Sequence, residues 1–333
     1  MIISLRRGLG SARAALLKRR IRRYFPEGRV TGGGESLHVV APASMAAASA
    51  PRIEALVGVE RVDLSLSESC PRVCGGAAQS KACVRVGNAS FGPGNYAIIA
   101  GPCAVEDGES YLRLARSLKA AGAQLLRGAV FKPRSSPYTF QGMGLQGLRV
   151  LAEVKRRVKL PVVTEITDPR QLPQTHDIID MVQVGARNMR NYELLKELGS
   201  LDIPVMLKRG QHASLCEWLL CAEYILKGGN QRVILCERGD AAAAHAGPVI
   251  NLNMAVSAME NTPLPVIVDV SHGTGRRSHV LPIARAAAAI GAGGIMVEVH
   301  LRPEESIVDG KQSLDLDEFR RLVRESGSIR KAC

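Results

Sequence analysis

From residue 96 onward the chain repeats one pattern: a short apolar run, a polar or glycine-containing turn, then a stretch whose apolar residues recur at helical spacing. The apolar runs are YAIIAG (96–101), AQLLRGAV (123–130), PVVTEI (161–166), MVQVGA (181–186), PVMLK (204–208), RVILCE (232–237), PVIVDV (265–270) and GIMVEV (294–299). Such runs match strands buried on both faces of a parallel sheet. Between them SYLRLARSLKAAG (110–122), LQGLRVLAEVKRRV (145–158), SLCEWLLCAEYILKGG (214–229) and SHVLPIARAAAAIGAGG (278–294) read as helices, often stopped by glycine. Eight strands alternating with helices over roughly 230 residues predict an α/β fold, a (β/α)8 TIM barrel over 95–333. A doubly wound open sheet would leave the count of eight unexplained, and no glycine-rich turn follows the first strand.

Residues 1–68 follow a different rhythm. MIISL and SLHVVAP read as strands and ARAALLKRRIRRYF as a helix, with APRIEALVG and ERVDLSL as a second helix and strand. This β-α-β-α-β order predicts a small α+β unit of the ferredoxin-like type. Residues 69–94, with their Gly, Ser and Pro, read as a linker.

Composition sharpens this picture. Aromatic residues make up only 4% of the chain against 46% hydrophobic residues overall, so aliphatic side chains must build the core. No apolar run approaches the roughly 18 residues of a membrane span, which sets a transmembrane role aside. The net charge of +13 calls for anionic partners. Part of it lies in Arg6, Arg7, Arg13, Lys18, Arg19, Arg20, Arg22, Arg23 and Arg29, a basic stretch that resembles a transit peptide in composition but reads more simply as a solvated helix. Aromatic and basic residues do not interleave as they do where bases stack, so nucleic acid is not an expected partner. The eight cysteines lack regular spacing and no apolar secretory segment opens the chain, which points to a reducing, cytoplasmic compartment. Cys70, Cys74 and Cys83 lack a fourth ligand or a paired CxxC and read as ordinary thiols. His176, His212, His245 and His279 fall in helices or loops without partners, and Trp218 fits a helix face packed on the barrel.

In a barrel enzyme the working residues emerge where strands end. Those positions hold Cys103; Arg127, Lys132 and Arg134; Glu165; Arg187; Lys208; Glu237 and Arg238; Asp269 and His272; Glu298 and His300. Buried strands do not end this way unless something charged binds there. Six cations, Arg127, Lys132, Arg134, Arg187, Lys208 and Arg238, suffice for two phosphates or for a phosphate and a carboxylate. Cys103, His272 and Glu298 close the first, seventh and eighth strands, neighbours in a closed barrel, and Asp309 follows in the next loop. Thiolate, imidazole and carboxylate together suit a borderline divalent transition metal.

The motifs GPCAVE (101–106), LRGAVFKPRSSPYTFQG (126–142), QVGARNM (183–189), MLKRG (206–210), ILCERG (234–239), DVSHGTGRR (269–277), MVEVH (296–300) and DGKQSL (309–314) occur in this order. In them the chain resembles the 3-deoxy-D-arabino-heptulosonate 7-phosphate (DAHP) synthases, over about residues 95–325; LVGVERVDLS and VRVGNASFG resemble, more weakly, the branch with a ferredoxin-like regulatory domain. The resemblance implies condensation of phosphoenolpyruvate with erythrose 4-phosphate, the first step of the shikimate pathway, and KPRSS favours this over the sister octulosonate 8-phosphate synthases. It implies one divalent metal (Mn, Fe, Co or Zn) on Cys103, His272, Glu298 and Asp309. Phosphoenolpyruvate would fall to Arg127, Lys132, Ala186, Arg187, Lys208 and Arg238, and the aldose to Lys132, Pro133, Arg134 and Ser135. Lys132 would donate a proton and Glu165 place a water, so that Lys132, Glu165, Cys103 and His272 form the catalytic set. An aromatic amino acid is the effector such an N-terminal domain would bind, and homodimers or homotetramers are the usual assemblies. After Glu237-Arg238-Gly239 the family usually continues Arg-Thr-Phe-Glu, whereas this chain reads DAAAAHAGPVINLN (240–253). Asp240 is expected to repel a nearby phosphate. That departure leaves room for the same chemistry on another aldose, or for a non-catalytic phosphometabolite-binding paralogue.

Overall fold

A computed structural model describes residues 1–74, 81–241 and 248–332. The chain divides into two compact units, Met1–Gln79 and Ser80–Cys333.

The first unit runs β1 (Ile2–Leu5), α1 (Ser11–Arg22), β2 (Arg29–Gly33), β3 (Ser36–Val40), α2 (Ala43–Glu54) and β4 (Val59–Asp63), followed by the short helices α3 (Leu66–Ser69) and α4 (Pro71–Cys74). Its antiparallel sheet has the order β2-β3-β1-β4. This is the β-α-β-β-α-β connection, with one strand more than the sequence reading supplied. The missing strand is β2, whose two glycines hide it. The alanine-rich stretch before Pro51 belongs to helix α2, where Ala46, Ala50 and Ile53 pack into a core with Ile3, Leu17, Ile21 and Phe25. Arg13, Arg19, Arg20, Arg22 and Arg23 of α1 occupy exposed positions, and those in its last turn complement the helix dipole.

The second unit opens with a hairpin, β5 (Val84–Val86) and β6 (Ala89–Phe91), in the stretch read as linker. It continues β7 (Ala97–Gly101), α5 (Gly108–Ala120), β8 (Leu125–Arg127), α6 (Gly144–Val158), β9 (Val162–Glu165), a short α7 (Leu172–Thr175) and β10 (Met181–Val184). Then come α8 (Tyr192–Ser200), β11 (Val205–Lys208), α9 (Leu215–Gly228), β12 (Val233–Glu237), α10 (Leu252–Asn261), β13 (Val266–Asp269), α11 (Arg277–Ala289), β14 (Gly294–Glu298) and α12 (Leu316–Ala332). The eight expected strands, β7 to β14, form a closed parallel barrel in which β14 pairs with β7. Among the described residues no helix is long and apolar enough to cross a membrane.

Val84, Val86, Ala89 and Phe91 of the hairpin join inward strand residues such as Ile99, Met181, Met206, Ile234 and Met296 in one buried cluster. The hairpin thus fills the barrel at the end where the strands begin. Gly101 has no side chain because a Cβ there would stand 2.1 Å from Arg127 O of the adjoining strand. Trp218 on α9 is buried against the barrel, its Nε1 donating to Leu207 O at 3.2 Å.

Helix starts are chemically marked. Ser214 and Glu217 form a capping box on α9, and Asp107 Oδ2 caps α5 by accepting from Ser110 N at 2.7 Å. That hydrogen bond holds the Asp107 carboxyl below its usual range. The cap is therefore fully effective above the unfolded carboxylate value of about 3.9 and is lost as pH falls through the lower folded value. Asp107→Ala should cost about 1 kcal/mol in urea unfolding at pH 7 and progressively less as pH falls below the carboxylate range; a cost that does not fall with pH would refute the capping role.

Candidate active site at the barrel mouth

Parallel strands all point their carboxyl ends to one face, so residues that end different strands meet there. Arg127, Lys208, Glu237, Asp269 and Glu298 close β8, β11, β12, β13 and β14, and all five are buried. Charges survive such burial only when paired. Arg127 Nη1 lies 2.9 Å from Glu298 Oε1, and Nη2 donates to Cys103 O at 3.3 Å. Lys208 Nζ meets Asp269 Oδ2 at 2.5 Å. Lys132 Nζ reaches Cys103 Sγ at 2.9 Å. Burial alone would lower the Lys132 pKa, but the Cys103 sulfur and the Glu165 and Glu298 carboxylates together raise it, so the ammonium stays charged.

Cys103, His272, Glu298 and Asp309 offer ligand atoms that all lie within 4.8 Å of one another. Cys103 Sγ is 2.8 Å from Asp309 Oδ2 and 3.7 Å from His272 Nε2, which in turn is 3.2 Å from Glu298 Oε1. Donors bound at about 2.0–2.3 Å around one cation have separations of this order, so the four residues fit a divalent transition metal. Protonation agrees. Burial lowers the His272 pKa against the pull of Asp269 and Glu298, leaving the neutral imidazole that a metal needs. Burial, aided by Glu298 and Asp309, pushes the Cys103 thiol well up, so a thiolate here calls for a strong cation beside it. Asp309 stands in the left-handed region at φ 60, strain that an aspartate tolerates better than most residues. Its loop is pinned by Glu106 Oε1, which accepts from Ser306 Oγ and Ile307 N, both at 3.0 Å.

Beside the cluster lie two joined cavities. The inner one, about 40 Å³, is lined by Lys132, Pro133, Glu165, Gln183, Gly185, Ala186, Arg187, Lys208, Gln211, Arg238 and His272. The outer one, about 360 Å³, takes its walls from loops: Arg134, Ser135, Ser136, Thr139, Pro248 and Gly275, with Lys132, Arg187, Arg238, His272, Asp309 and Gln312 shared between walls and floor. Arg238 Nη1 is buried without a hydrogen-bond partner, a cation that lacks its anion. Glu165 accepts from Gln183 Nε2 at 3.1 Å, and a Cβ on Gly185 would fall 1.9 Å from Glu165 Oε1. A larger cleft of about 660 Å³ between α5 and residues 300–305 includes Arg302 and Glu305, which pair with each other, and it gathers no comparable set of cations.

The residues assigned to catalysis, substrate and metal all line one of these cavities or lie in the donor cluster or its ion pairs, whereas the strand-end candidate Glu237 pairs with Arg209 instead. His300 points away, with Nε2 3.7 Å from Glu106 Oε2. His176, His212 and His279 are exposed, and His245 lies outside the described residues. Asp240 does not face the phosphate side as expected: its Oδ1 meets Arg209 Nη1 at 2.7 Å and its Oδ2 accepts from Asn251 Nδ2 at 3.2 Å. Of the departing segment, residues 242–247 are outside the described residues. Sequence reasoning missed Arg209. Strand alternation turns it away from the pocket, yet it is buried and grips Glu237 through Nε (2.5 Å) and Nη2 (3.0 Å). Glu237 Oε1 also accepts from Gly239 N at 2.7 Å, so this pair fixes the chain on both sides of Arg238. Gln312, which donates to Glu298 Oε2 at 2.9 Å, was missed as well. A neutral amide carries no signal at sequence level.

A closed eight-stranded barrel with metal donors and buried cations at one mouth defines a (β/α)8 enzyme for anionic substrates. Residues 77–332 match the DAHP synthetase I family. The phospho-2-dehydro-3-deoxyheptonate aldolase of Thermotoga maritima is 44% identical over 73% of this chain and 72% of its own length. The 2-dehydro-3-deoxyphosphooctonate aldolase of Desulfatibacillum aliphaticivorans is 32% identical over 71% of this chain and 92% of its own. The crystal structure of phospho-2-dehydro-3-deoxyheptonate aldolase (DAHP synthase) from Thermotoga maritima superposes with a TM-score of 0.85 at 35% identity, covering 99% of this chain and 97% of that one. The chain belongs to the DAHP synthetase I family.

Proposed function

We propose that the inner cavity binds phosphoenolpyruvate and the outer one erythrose 4-phosphate, and that the enzyme joins them into DAHP and inorganic phosphate, the first step of the shikimate pathway. The observation that carries this reading is the unpartnered Arg238 guanidinium, buried among Lys132, Arg187 and Lys208 beside the four-donor cluster. A divalent metal on Cys103, His272, Glu298 and Asp309 supplies Lewis-acid polarisation of the aldehyde.

The chain's own residues do the rest. Arg127, Arg187, Lys208 and Arg238 hold the phosphate and carboxylate of phosphoenolpyruvate, with Ala186 against it, while Pro133, Arg134 and Ser135 seat the aldose. Fixed cations offset the repulsion between two anions and set the vinyl C3 against the aldehyde carbon. Lys132, shared by both cavities, delivers a proton to the aldehyde oxygen as the carbon–carbon bond forms. Glu165 orients the water that adds to C2, after which the hemiketal phosphate releases inorganic phosphate. The N-terminal unit takes an aromatic amino acid as effector, the assembly is a homodimer or homotetramer, and the enzyme works in the reducing cytoplasm, where Cys103 stays reduced.

Phosphate release by Mn²⁺-loaded protein, measured with erythrose 4-phosphate, arabinose 5-phosphate and other phosphorylated aldoses, tests the assignment. Release with erythrose 4-phosphate is expected. Release with arabinose 5-phosphate alone would reassign the outer cavity, and silence with every aldose would remove catalysis. Gly185→Ala tests Glu165: the new methyl displaces its carboxylate, so kcat should fall at least about tenfold, ~1.4 kcal/mol, with little change in the unfolding midpoint. Unchanged kcat would exclude Glu165 from the reaction.

A further inference from the structure

Three contacts run to the anions of the metal side from buried cations, two of which line the inner cavity: Lys132 to Cys103 (2.9 Å) and Lys208 to Asp269 (2.5 Å), with Arg127 to Glu298 (2.9 Å) beside them. Glu298 and Cys103 belong to the donor cluster, and Asp269 does not. Asp269 is fully buried, and its Oδ1 accepts from Ser271 N at 3.2 Å and His272 N at 3.0 Å. Its Oδ2 stands between two claimants, Lys208 Nζ at 2.5 Å and His272 Nδ1 at 2.9 Å. One carboxylate oxygen therefore touches both halves of the site.

We infer that Asp269 couples metal occupancy to anion affinity. The inference rests on the site reading above and adds a direction to it. His272 Nδ1 stands at ion-pair distance from Oδ2 without a hydrogen bond to it; a cation on Nε2 would make the Nδ1–H a stronger donor and draw Oδ2 towards it. As Oδ2 commits to His272, its hold on Lys208 weakens. The same cation engages Glu298 and Cys103, the partners of Arg127 and Lys132. With the metal side empty, the three cations are largely neutralised by their own protein; with it filled, they face the cavity with charge to spare. Metal and anion then bind with positive cooperativity, and linkage requires each to raise the affinity of the other by the same factor.

The test is a binding cycle without turnover. Inorganic phosphate is titrated calorimetrically into metal-stripped and Mn²⁺-loaded protein, and free Mn²⁺ is followed by electron paramagnetic resonance with and without phosphate. The wild type should show the same coupling factor from both directions, about tenfold. In Asp269→Asn both ligands should still bind while the factor falls towards one, and Asp269→Glu, which keeps the charge, should recover part of it. Equal phosphate affinity with and without Mn²⁺ in the wild type overturns the inference whatever the variants do, as does an unchanged factor in Asp269→Asn. Independent binding of both ligands would sink the coupling alone, whereas failure of the wild type to bind either would sink the site reading with it.

Discussion

Cys103→Ala should leave the barrel folded yet strip it of both metal and activity. Mn²⁺ retained after gel filtration should fall to background, and turnover should drop at least about a thousandfold, ~4 kcal/mol of barrier. The geometry makes the loss so large because Cys103 Sγ lies within reach of His272, Asp309 and Lys132 at once. Removing it opens one vertex of the cluster and deprives the Lys132 ammonium of its partner. Cys103→Ser keeps a polar atom there but not a soft donor, and it should restore little metal binding. Full turnover by metal-free Cys103→Ala would exclude the proposed chemistry.

The second large effect lies away from the chemistry. Arg209→Met leaves the buried Glu237 with its main partner gone, and breaking a buried pair in this way costs about 3–5 kcal/mol. Urea unfolding should show that loss. A compensating Glu237→Gln in the same chain should recover a good part of it, because the amide needs no counter-charge. The KM for phosphoenolpyruvate should also rise, since Glu237 holds Gly239 N next to Arg238. A single variant as stable as the wild type would show that the Arg209–Glu237 pair does not support this corner.

The barrel and most of its candidate site were legible in the sequence for one reason: parallel strands are buried on both faces and share a direction. Continuous apolar runs marked β7 to β14, and wherever a charged residue closed a run it had to lie at the mouth. Lys208, Asp269 and Glu298 could be placed without knowing a single distance. What escaped was whatever depends on partners. Arg209 follows Lys208, and alternation made it an outward residue; only the fold shows Glu237 and Asp240 waiting for it. The repulsion expected of Asp240 failed for the same reason. Strands β5 and β6 are three residues each, too short for any period to register, and β2 is diluted by Gly32 and Gly33. Helix α2 is legible only from Ala50 onward; its alanine-rich first turns, which contribute little contrast between faces, begin at Ala43.

The plug formed by β5 and β6 has a consequence for traffic. With Phe91, Val84 and Val86 buried among the strand starts, the described residues close the barrel at that end. The inner chamber is floored by strand residues and entered past the loop-walled outer one, so whatever occupies the front room bars the back. If phosphoenolpyruvate takes the inner chamber as proposed above, it has to enter before the aldose closes the front one.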